Sequence, residues 1–296
     1  MFNYDHNQQI RSDTNNAIRR GQVLLDEITE FKLNKHSPFK NRILVVINGH
    51  GEPNYEVKKN ACQHNLDLII QTAPEFNVDI EIFSYDSSPV FNDYSRFNNV
   101  TVTNSVGFGG QHIFNHLTPE KINDYEKLII FQDDIFLPDN FNLSYFLGLQ
   151  SKYNIDILSP SLSPCSKVNH RRNLYRSEFE NTIRIVKILE FFFYVFSKGE
   201  NGHETYEDYY SLFSSGTRSM WGLDCALYHC LDFRLGIVND CQMRHLFGGN
   251  SRTEESEREW ANLNHFLHKT GRKPNIIPKD LTNPNFNSEI STINLI

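Results

Sequence analysis

Apolar and polar positions alternate along this chain in blocks that have the lengths of strands and helices. Short apolar runs indicate strands beginning near Arg42, Val78, Val100, Leu128, Ile155 and Leu235. Helical spacing of apolar residues predicts helices at Tyr55–Thr72, Gln111–Leu117, Leu143–Lys152 and Tyr206–Phe213. Strands that alternate with helices at this spacing predict an α/β fold. Its sheet is expected to be mostly parallel, Rossmann-type and flanked by helices.

The segment Ile183–Phe196 does not fit this pattern simply. It is rich in β-forming residues but too long for one short strand, so a helix competes with strand there. Residues 1–40 predict an N-terminal helical extension, and residues 41–250 predict the main domain. Residues 251–296 predict a C-terminal helix and an extended tail.

Composition and charge narrow the class of protein. With 296 residues, of which 39% are hydrophobic and 13% aromatic, the chain can bury a large core. A net charge of −7 argues against a general nucleic-acid binder, although the basic stretch from Lys167 to Lys187 leaves a local groove open. No apolar stretch reaches the ~20 residues that span a bilayer, and the N-terminus lacks a secretory-signal pattern. Five scattered cysteines fit a reducing compartment, so a cytoplasmic protein of a bacterium or a virus-infected host cell is expected.

The strongest chemical signal follows the apolar run Leu128–Phe131. That run leads directly into Gln132, Asp133 and Asp134. Open α/β sheets bind ligands at the carboxyl ends of their strands. Two adjacent carboxylates there repel each other, and a divalent cation that holds a phosphate is the usual remedy. The alternative is a strand followed by a solvated acidic turn.

Several further motifs follow the predicted strands in a fixed order. They are Asn48-Gly49, Tyr85-Asp86, the segment from Ser159 to His170-Arg171, Glu190 before Val195-Phe-Ser197, Trp221-Gly-Leu-Asp224, and Ile237-Val-Asn-Asp240 with His245 downstream. In this order they resemble glycosyltransferases of the GT-A fold. They resemble more closely a family of bacterial and plant proteins catalogued as a domain of unknown function with a glycosyltransferase-like fold. The resemblance runs from about Arg42 to Gly249.

The resemblance implies a nucleotide-sugar-dependent glycosyltransferase, either a hexosyl- or a pentosyltransferase, that uses Mn²⁺ or Mg²⁺. It assigns the metal to Asp134 and His245, with Asp133 as a second carboxylate. It assigns donor binding to Asn48, Gly49, Asp86, Gln132 and Asp133. The family motif is Asp-x-Asp, and Gln132 stands where its first acid would be, so this position contributes no charge. Taken alone, His245 fits a loop or core histidine, and Asp86 fits a turn.

Asp224 is the expected general base, because an inverting transfer needs a carboxylate that deprotonates the acceptor hydroxyl. Trp221 and Gly222 are expected to contact the acceptor, and His170, Arg171 and Glu190 to bind acceptor or phosphate. Glu190 lies among apolar residues, so we expect it to pair with His170 or Arg171. The alternative is that Trp221 is a core residue and Asp224 caps the helix that begins near Cys225.

A UDP-sugar is the expected donor and a glycan the expected acceptor, with DNA carrying a hydroxylated base as the other acceptor. Two other classes stay open. Gln132 favours a non-catalytic nucleotide- or sugar-binding protein with a degenerate site. A metal-dependent phosphohydrolase would use the same acids but would need more clustered carboxylates and histidines.

Overall fold

A computed structural model describes residues 41–85, 90–104, 107, 109–166, 181–197, 205–213, 217–218, 220, 223–247 and 289–295. The strands in these ranges are β1 (Arg42–His50), β2 (Asn77–Ser84), β3 (Val100–Asn104), β4 (Lys127–Phe131), β5 (Ile135–Phe136), β6 (Ile157–Leu162), β7 (Thr182–Val186), β8 (Phe193–Phe196), β9 (Leu235–His245) and β10 (Glu289–Asn294). The helices are α1 (Tyr55–Thr72), α2 (Val90–Asp93), α3 (Gly109–His116), α4 (Pro119–Ile122), α5 (Leu143–Lys152), α6 (Thr205–Tyr210) and α7 (Leu223–Leu231). The helical extension predicted in residues 1–40 and the helix predicted within residues 251–296 lie outside the described residues.

The sheet is mixed, in the order β10-β7-β9-β6-β8-β4-β1-β2-β3, and β5 pairs with β9 to one side. Parallel pairing joins β1 to β2 and β4, β2 to β3, and β6 to β9. Strand β8 runs antiparallel between β4 and β6, and β7 runs antiparallel between β9 and β10. The prediction of a mostly parallel sheet was therefore wrong. Strands β7 and β8 are buried throughout, so their hydrophobic pattern carries no sign of direction.

The apolar segment that was ambiguous between helix and strand forms two strands, β7 and β8. Residues 187–192 connect them, and this connection is itself largely buried. The helix alternative was wrong, because the extra apolar residues belong to a buried connection. The last described residues, predicted as an extended tail, form β10 at the edge of the sheet.

Helix α1 has the bounds that its periodicity predicted, but the residues on its buried face coincide only in part with its apolar positions. Ala61, Leu66 and Ile69 are buried as expected, whereas Val57 is 50% exposed. Three other side chains, Lys58, Cys62 and Asn65, complete the buried face. This polar stripe faces the chain that leaves β4.

The ends of four strands, β1, β2, β4 and β9, lie at one edge of the sheet. Phe131 at the end of β4 pairs with Phe193 at the start of β8, because the two strands are antiparallel. Strand β9 runs in the same direction as β4 and ends at His245, opposite Ile135 of β5. The ends of β1 and β2 adjoin this edge through the pairing of His50 with Ser84. In the described part of the chain, no helix is long and apolar enough to cross a membrane.

Candidate functional site

The acidic turn, defined as Gln132–Asp134, connects β4 to β5 at this edge. The Gln132 N–H donates to the Phe192 carbonyl (3.1 Å), and the Leu246 N–H donates to the Asp134 carbonyl (2.9 Å). Together with the pairing of Ile135 and His245, these bonds fix the turn against the ends of β8 and β9. These bonds bring the side chain of Asp134 next to that of His245.

Asp134 Oδ2 lies 3.1 Å from His245 Nε2. The His245 ring packs against the Phe192 ring, with centroids 4.7 Å apart, and the His245 N–H donates to Ser166 Oγ (3.1 Å). Asp134 Oδ1 is buried and has no hydrogen-bond partner among the residues described. The pair is therefore held in place by its surroundings, and one carboxylate oxygen of Asp134 is buried without a hydrogen bond from any described residue.

This donor set fits a divalent metal ion. Two neighbouring ligands of an octahedral ion are about 3 Å apart when each is about 2.1 Å from the metal. The 3.1 Å separation of Asp134 and His245 matches that spacing. Within the described ranges, no third His, Cys, Asp or Glu joins them in a metal-binding group. An ion held there would take its remaining ligands from a bound molecule or water.

Asp133 is directed into the protein behind the turn. Its Oδ2 lies 3.1 Å from Lys58 Nζ and 3.6 Å from His50 Nδ1. Burial raises the pKa of the Asp133 carboxyl, and the nearby His50 and Lys58 oppose that rise. The structure thus places Asp133 in a buried ion pair, separate from the Asp134–His245 pair.

The end of β1 places Asn48 and Gly49 at the same edge. Asn48 is 4% exposed, and its Oδ1 has no hydrogen-bond partner within the described residues. A Cβ at Gly109, the first residue of α3, would lie 2.9 Å from Asn48 Nδ2, so α3 begins directly beside the Asn48 amide. Asn48, which was predicted to bind the nucleotide-sugar donor, therefore has a buried hydrogen-bond acceptor that no described residue satisfies.

Gly49 has φ +89°, a conformation that L-residues with side chains rarely adopt. A Cβ there would lie 2.0 Å from the Tyr85 hydroxyl oxygen. The Tyr85 ring therefore fills the space that a side chain at Gly49 would need, and the predicted role of Gly49 in donor binding stays a prediction. Burial and the carboxylates of Asp133 and Asp134 raise the pKa of Tyr85, which places its hydroxyl close to the acidic turn.

Glu190 is half-buried in the connection before β8. Burial raises the pKa of its carboxyl to about 7, and the nearby His245 opposes the rise. Glu190 is thus electrostatically close to His245. Its predicted partners, His170 and Arg171, lie outside the described residues, so the predicted pairing stays a prediction.

Asp224 lies in the first turn of α7 and is half-buried. After burial, its carboxylate is the cause that raises the pKa of the Tyr209 hydroxyl, which places Asp224 near Tyr209 on α6. Trp221, Gly222 and Asp86 lie outside the described residues. The expected roles of these four residues stay predictions.

The sequence interpretation missed Lys58 and His50, which hold Asp133. The sequence did contain a pattern that could have identified Lys58. Lys58, Cys62 and Asn65 recur at helical spacing, and these three side chains share the buried face of the helix with Ala61, Leu66 and Ile69. His50, by contrast, carried no pattern of its own.

Comparison with solved structures places this architecture among known folds. The crystal structure of GalNAc-T7 with UDP, GalNAc and Mn²⁺ matches with a TM-score of 0.55 at 10% identity, over 78% of this chain and 49% of that one. S. aureus TarS matches with a TM-score of 0.50 at 11% identity, over 81% of this chain and 41% of that one. The fold is GT-A-like. It is an α/β fold of this type with a mixed sheet.

These similarities concern the fold. The chain spans about half or less of the length of either protein, at identities that leave activity open. No protein-family model matches the chain, and no curated relative matches it. The narrower resemblance to the bacterial and plant family of unknown function therefore stays an expectation, while the GT-A-like fold that it implied is confirmed.

Proposed function

We propose that this GT-A-like chain transfers a sugar from a nucleotide-sugar donor, a UDP-sugar, to an acceptor hydroxyl. The observation that carries the proposal is the fixed pair of Asp134 and His245, with an unpartnered carboxylate oxygen among the described residues at the carboxyl edge of the sheet. Ligands bind at this edge in open α/β sheets. GalNAc-T7, which shares the fold, was crystallised with UDP, GalNAc and Mn²⁺, and this supports the choice of donor and metal.

In this proposal Asp134 and His245 hold Mn²⁺ or Mg²⁺ against the donor diphosphate. When bound, such an ion supplies Lewis-acid stabilisation of the charge that develops on the leaving diphosphate. Gln132 adds a neutral hydrogen-bonding group beside it. Asn48 Oδ1, buried and unpaired among the described residues, would accept a hydrogen bond from the base or ribose, with Gly49, Asp133 and Asp86 completing the donor site.

Two carboxylates are candidates for the base that takes the acceptor proton. Asp224 is the first candidate, in an inverting transfer with Trp221 and Gly222 against the acceptor. Glu190 is the second, because its pKa of about 7 suits proton transfer near neutral pH and it lies close to His245. His170 and Arg171 would bind acceptor or phosphate.

The proposed acceptor is a glycan, and DNA with a hydroxylated base is the alternative. One observation favours a second function, a non-catalytic nucleotide- or sugar-binding protein. Gln132 is neutral and Asp133 is paired with Lys58, so Asp134 is the one carboxylate of the acidic turn that is left for a metal. Binding and catalysis therefore need separate tests.

A thermal-shift panel tests donor binding. UDP, GDP and other nucleoside diphosphates and their sugars are added with and without Mn²⁺, because a ligand of the native state raises Tm by mass action. We expect a Mn²⁺-dependent shift with UDP that Asp134→Ala abolishes. Asp139→Ala, which removes a carboxylate whose side chain is 93% exposed, should keep the shift. Absence of a shift with every nucleotide would contradict the proposal.

Turnover then separates the enzyme from the binding protein. UDP release from the UDP-sugar that binds is measured with and without candidate glycans and DNA containing 5-hydroxymethylcytosine. We expect acceptor-dependent release that Asp224→Asn reduces at least a hundredfold. Binding without release under any condition would favour the non-catalytic function. If Glu190→Gln has the larger effect, Glu190 is the base.

A further inference from the structure

The acidic turn is bound from behind by three side chains of α1. Lys58 Nζ lies 3.1 Å from Asp133 Oδ2, the Cys62 thiol donates to the Asp133 carbonyl (3.4 Å), and Asn65 Nδ2 donates to the Ile135 carbonyl (2.7 Å). The Leu137 N–H returns a bond to Asn65 Oδ1 (2.8 Å). Positions 58, 62 and 65 lie on one helical face, so α1 presents a continuous polar stripe to the turn and to β5.

Lys58 differs from the other two because it carries a charge and reaches a second element. It is 9% exposed, and its Nζ also donates to the Gly51 carbonyl (3.1 Å), just beyond β1. One ammonium group thus joins the end of β1 to the acidic turn. These are the two segments that carry Asn48, Gly49 and Asp134.

Lys58 is important for stability because it compensates for the burial of the Asp133 carboxylate. Asp133 is 6% exposed, and a buried carboxylate is costly unless a cation and hydrogen bonds compensate for lost water. Removing one partner of a buried ion pair leaves the other charge uncompensated, which is strongly destabilising. Asp133 directly precedes Asp134, so a shift of Asp133 moves the backbone that carries Asp134.

We propose that Lys58 is a positioning residue, whose ion pair with Asp133 and hydrogen bond to the Gly51 carbonyl hold the acidic turn in the position that directs Asp134 to His245. The expected effect of Lys58 on metal binding rests on the proposed function. Its expected effect on the position of the acidic turn is independent of that function. Lys58 acts through Asp133 and touches neither the reacting atoms nor the metal.

A merely structural role predicts a different outcome. If Lys58 only balances the charge of Asp133, replacing both residues by neutral ones should restore a normal turn. If Lys58 positions the turn, the double variant should regain stability while the turn stays loose. Asp133→Asn alone removes the ion pair but leaves the hydrogen bond from Lys58 to the Gly51 carbonyl, so one of the two positioning contacts survives in that variant.

The experiment compares Lys58→Met, Asp133→Asn, Lys58→Met/Asp133→Asn and Lys59→Met. Lys59 pairs with Glu56 on the same helix (2.7 Å), so its variant controls for the loss of one positive charge. Hydrogen exchange of metal-free protein is followed in peptides covering 132–137 and 245–247, with β3 as internal reference. Mn²⁺ affinity is measured in the presence of UDP.

We expect about tenfold faster exchange of 132–137 in Lys58→Met and in the double variant, with β3 unchanged. The Kd for Mn²⁺ with UDP should rise about tenfold in both, which corresponds to about 1.4 kcal/mol. Lys59→Met should match the wild type, and 132–137 should exchange more slowly in Asp133→Asn, which keeps the Lys58 hydrogen bond to the Gly51 carbonyl, than in the double variant. If Lys58→Met fails to fold, the comparison of the double variant with Asp133→Asn decides. Equal exchange in those two would overturn the proposal.

The two proposals fail in different ways. If the wild-type protein does not bind Mn²⁺ with UDP, the proposed function is contradicted, and the exchange data still decide whether Lys58 holds the turn. If the wild type binds and the double variant binds equally well, Lys58 has no positioning role.

Discussion

Asp134 and His245 are held 3.1 Å apart by backbone bonds that do not involve their own side chains. Ile135 pairs with His245, and the Leu246 N–H donates to the Asp134 carbonyl. A ligand therefore meets a carboxylate and an imidazole that are already arranged. Such preorganisation lowers the ordering cost of binding.

Removal of the imidazole should weaken the metal site. We expect His245→Ala to raise the Kd for Mn²⁺ in the presence of UDP by about 10- to 100-fold, because one of two protein ligands is lost. Titration with Mn²⁺, followed by its EPR signal, measures this. His64→Ala is the matched control, since His64 stacks on Phe136 of β5 outside the pair. Equal affinities in wild type and His245→Ala would exclude His245 as a ligand.

Restoring the first acid of the motif should strengthen metal binding in the absence of nucleotide. Gln132→Asp adds a carboxylate to the turn beside Asp134, and we expect the Kd for Mn²⁺ alone to fall by about tenfold, because hard divalent ions prefer anionic oxygen ligands. Gln132→Asn, which has the same shape without the charge, should leave the Kd near that of wild type. If both variants behave alike, the position does not face the metal.

The contact between Gly49 and Tyr85 should make Gly49 intolerant of a side chain. Gly49→Ala places a methyl group in the Tyr85 ring at φ +89°, and we expect a loss of about 1–3 kcal/mol in the free energy of unfolding. Urea denaturation measures the loss. Gly107→Ala, where the nearest atom is the flexible end of Gln111, should cost much less. A similar loss in the two variants would argue against a special role for the Gly49 contact.

Glu190 should make stability depend on pH. Burial raises its pKa from the ordinary value of 4.5 to about 7, so the native state holds this proton more tightly than the unfolded state. The native protein should therefore lose stability as pH rises from about 4.5 to about 7. Glu190→Gln should lack this loss and gain relative to wild type over that range.

Urea unfolding of metal-free protein at pH 5, 6 and 8 measures the difference between the two proteins. Glu56→Gln, on the exposed side of α1, controls for the loss of a carboxylate. A difference between wild type and Glu190→Gln that stays constant across the three pH values would show that Glu190 titrates normally.

The sequence predicted those helices and strands that a local hydrophobic pattern determines. Helix α1 has the predicted bounds because its periodicity is long, and β4 was recognisable from its apolar run before the acidic turn. Asp134 and His245 were named together through a family resemblance, and the structure brings them together. Their binding of a metal stays a prediction.

The hydrophobic pattern could not predict which strands pair or in which direction each strand runs. Strand β5 has two residues, too few for periodicity, yet its pairing with β9 positions His245. Strand β8 carries no mark of its antiparallel direction. Adjacent Asp133 and Asp134 face different surroundings because the turn between β4 and β5 reorients the chain, and their sequence gives no sign of which one is buried.

Strand β8 has a further consequence for the whole molecule. Its four residues lie between β4 and β6, so in the described sheet they join the block of β1–β4, which precedes Asp134, to the block that carries His245, and the pairing of β5 with β9 joins the two blocks a second time. The two halves of the candidate site are thus far apart in the sequence and are joined by these two short strands. A variant that disrupts β8 would leave the two-residue strand β5 as the remaining described strand pairing between them. The position of the Asp134 carboxylate relative to the His245 imidazole would then depend on β5 and on the backbone bond between Leu246 and Asp134.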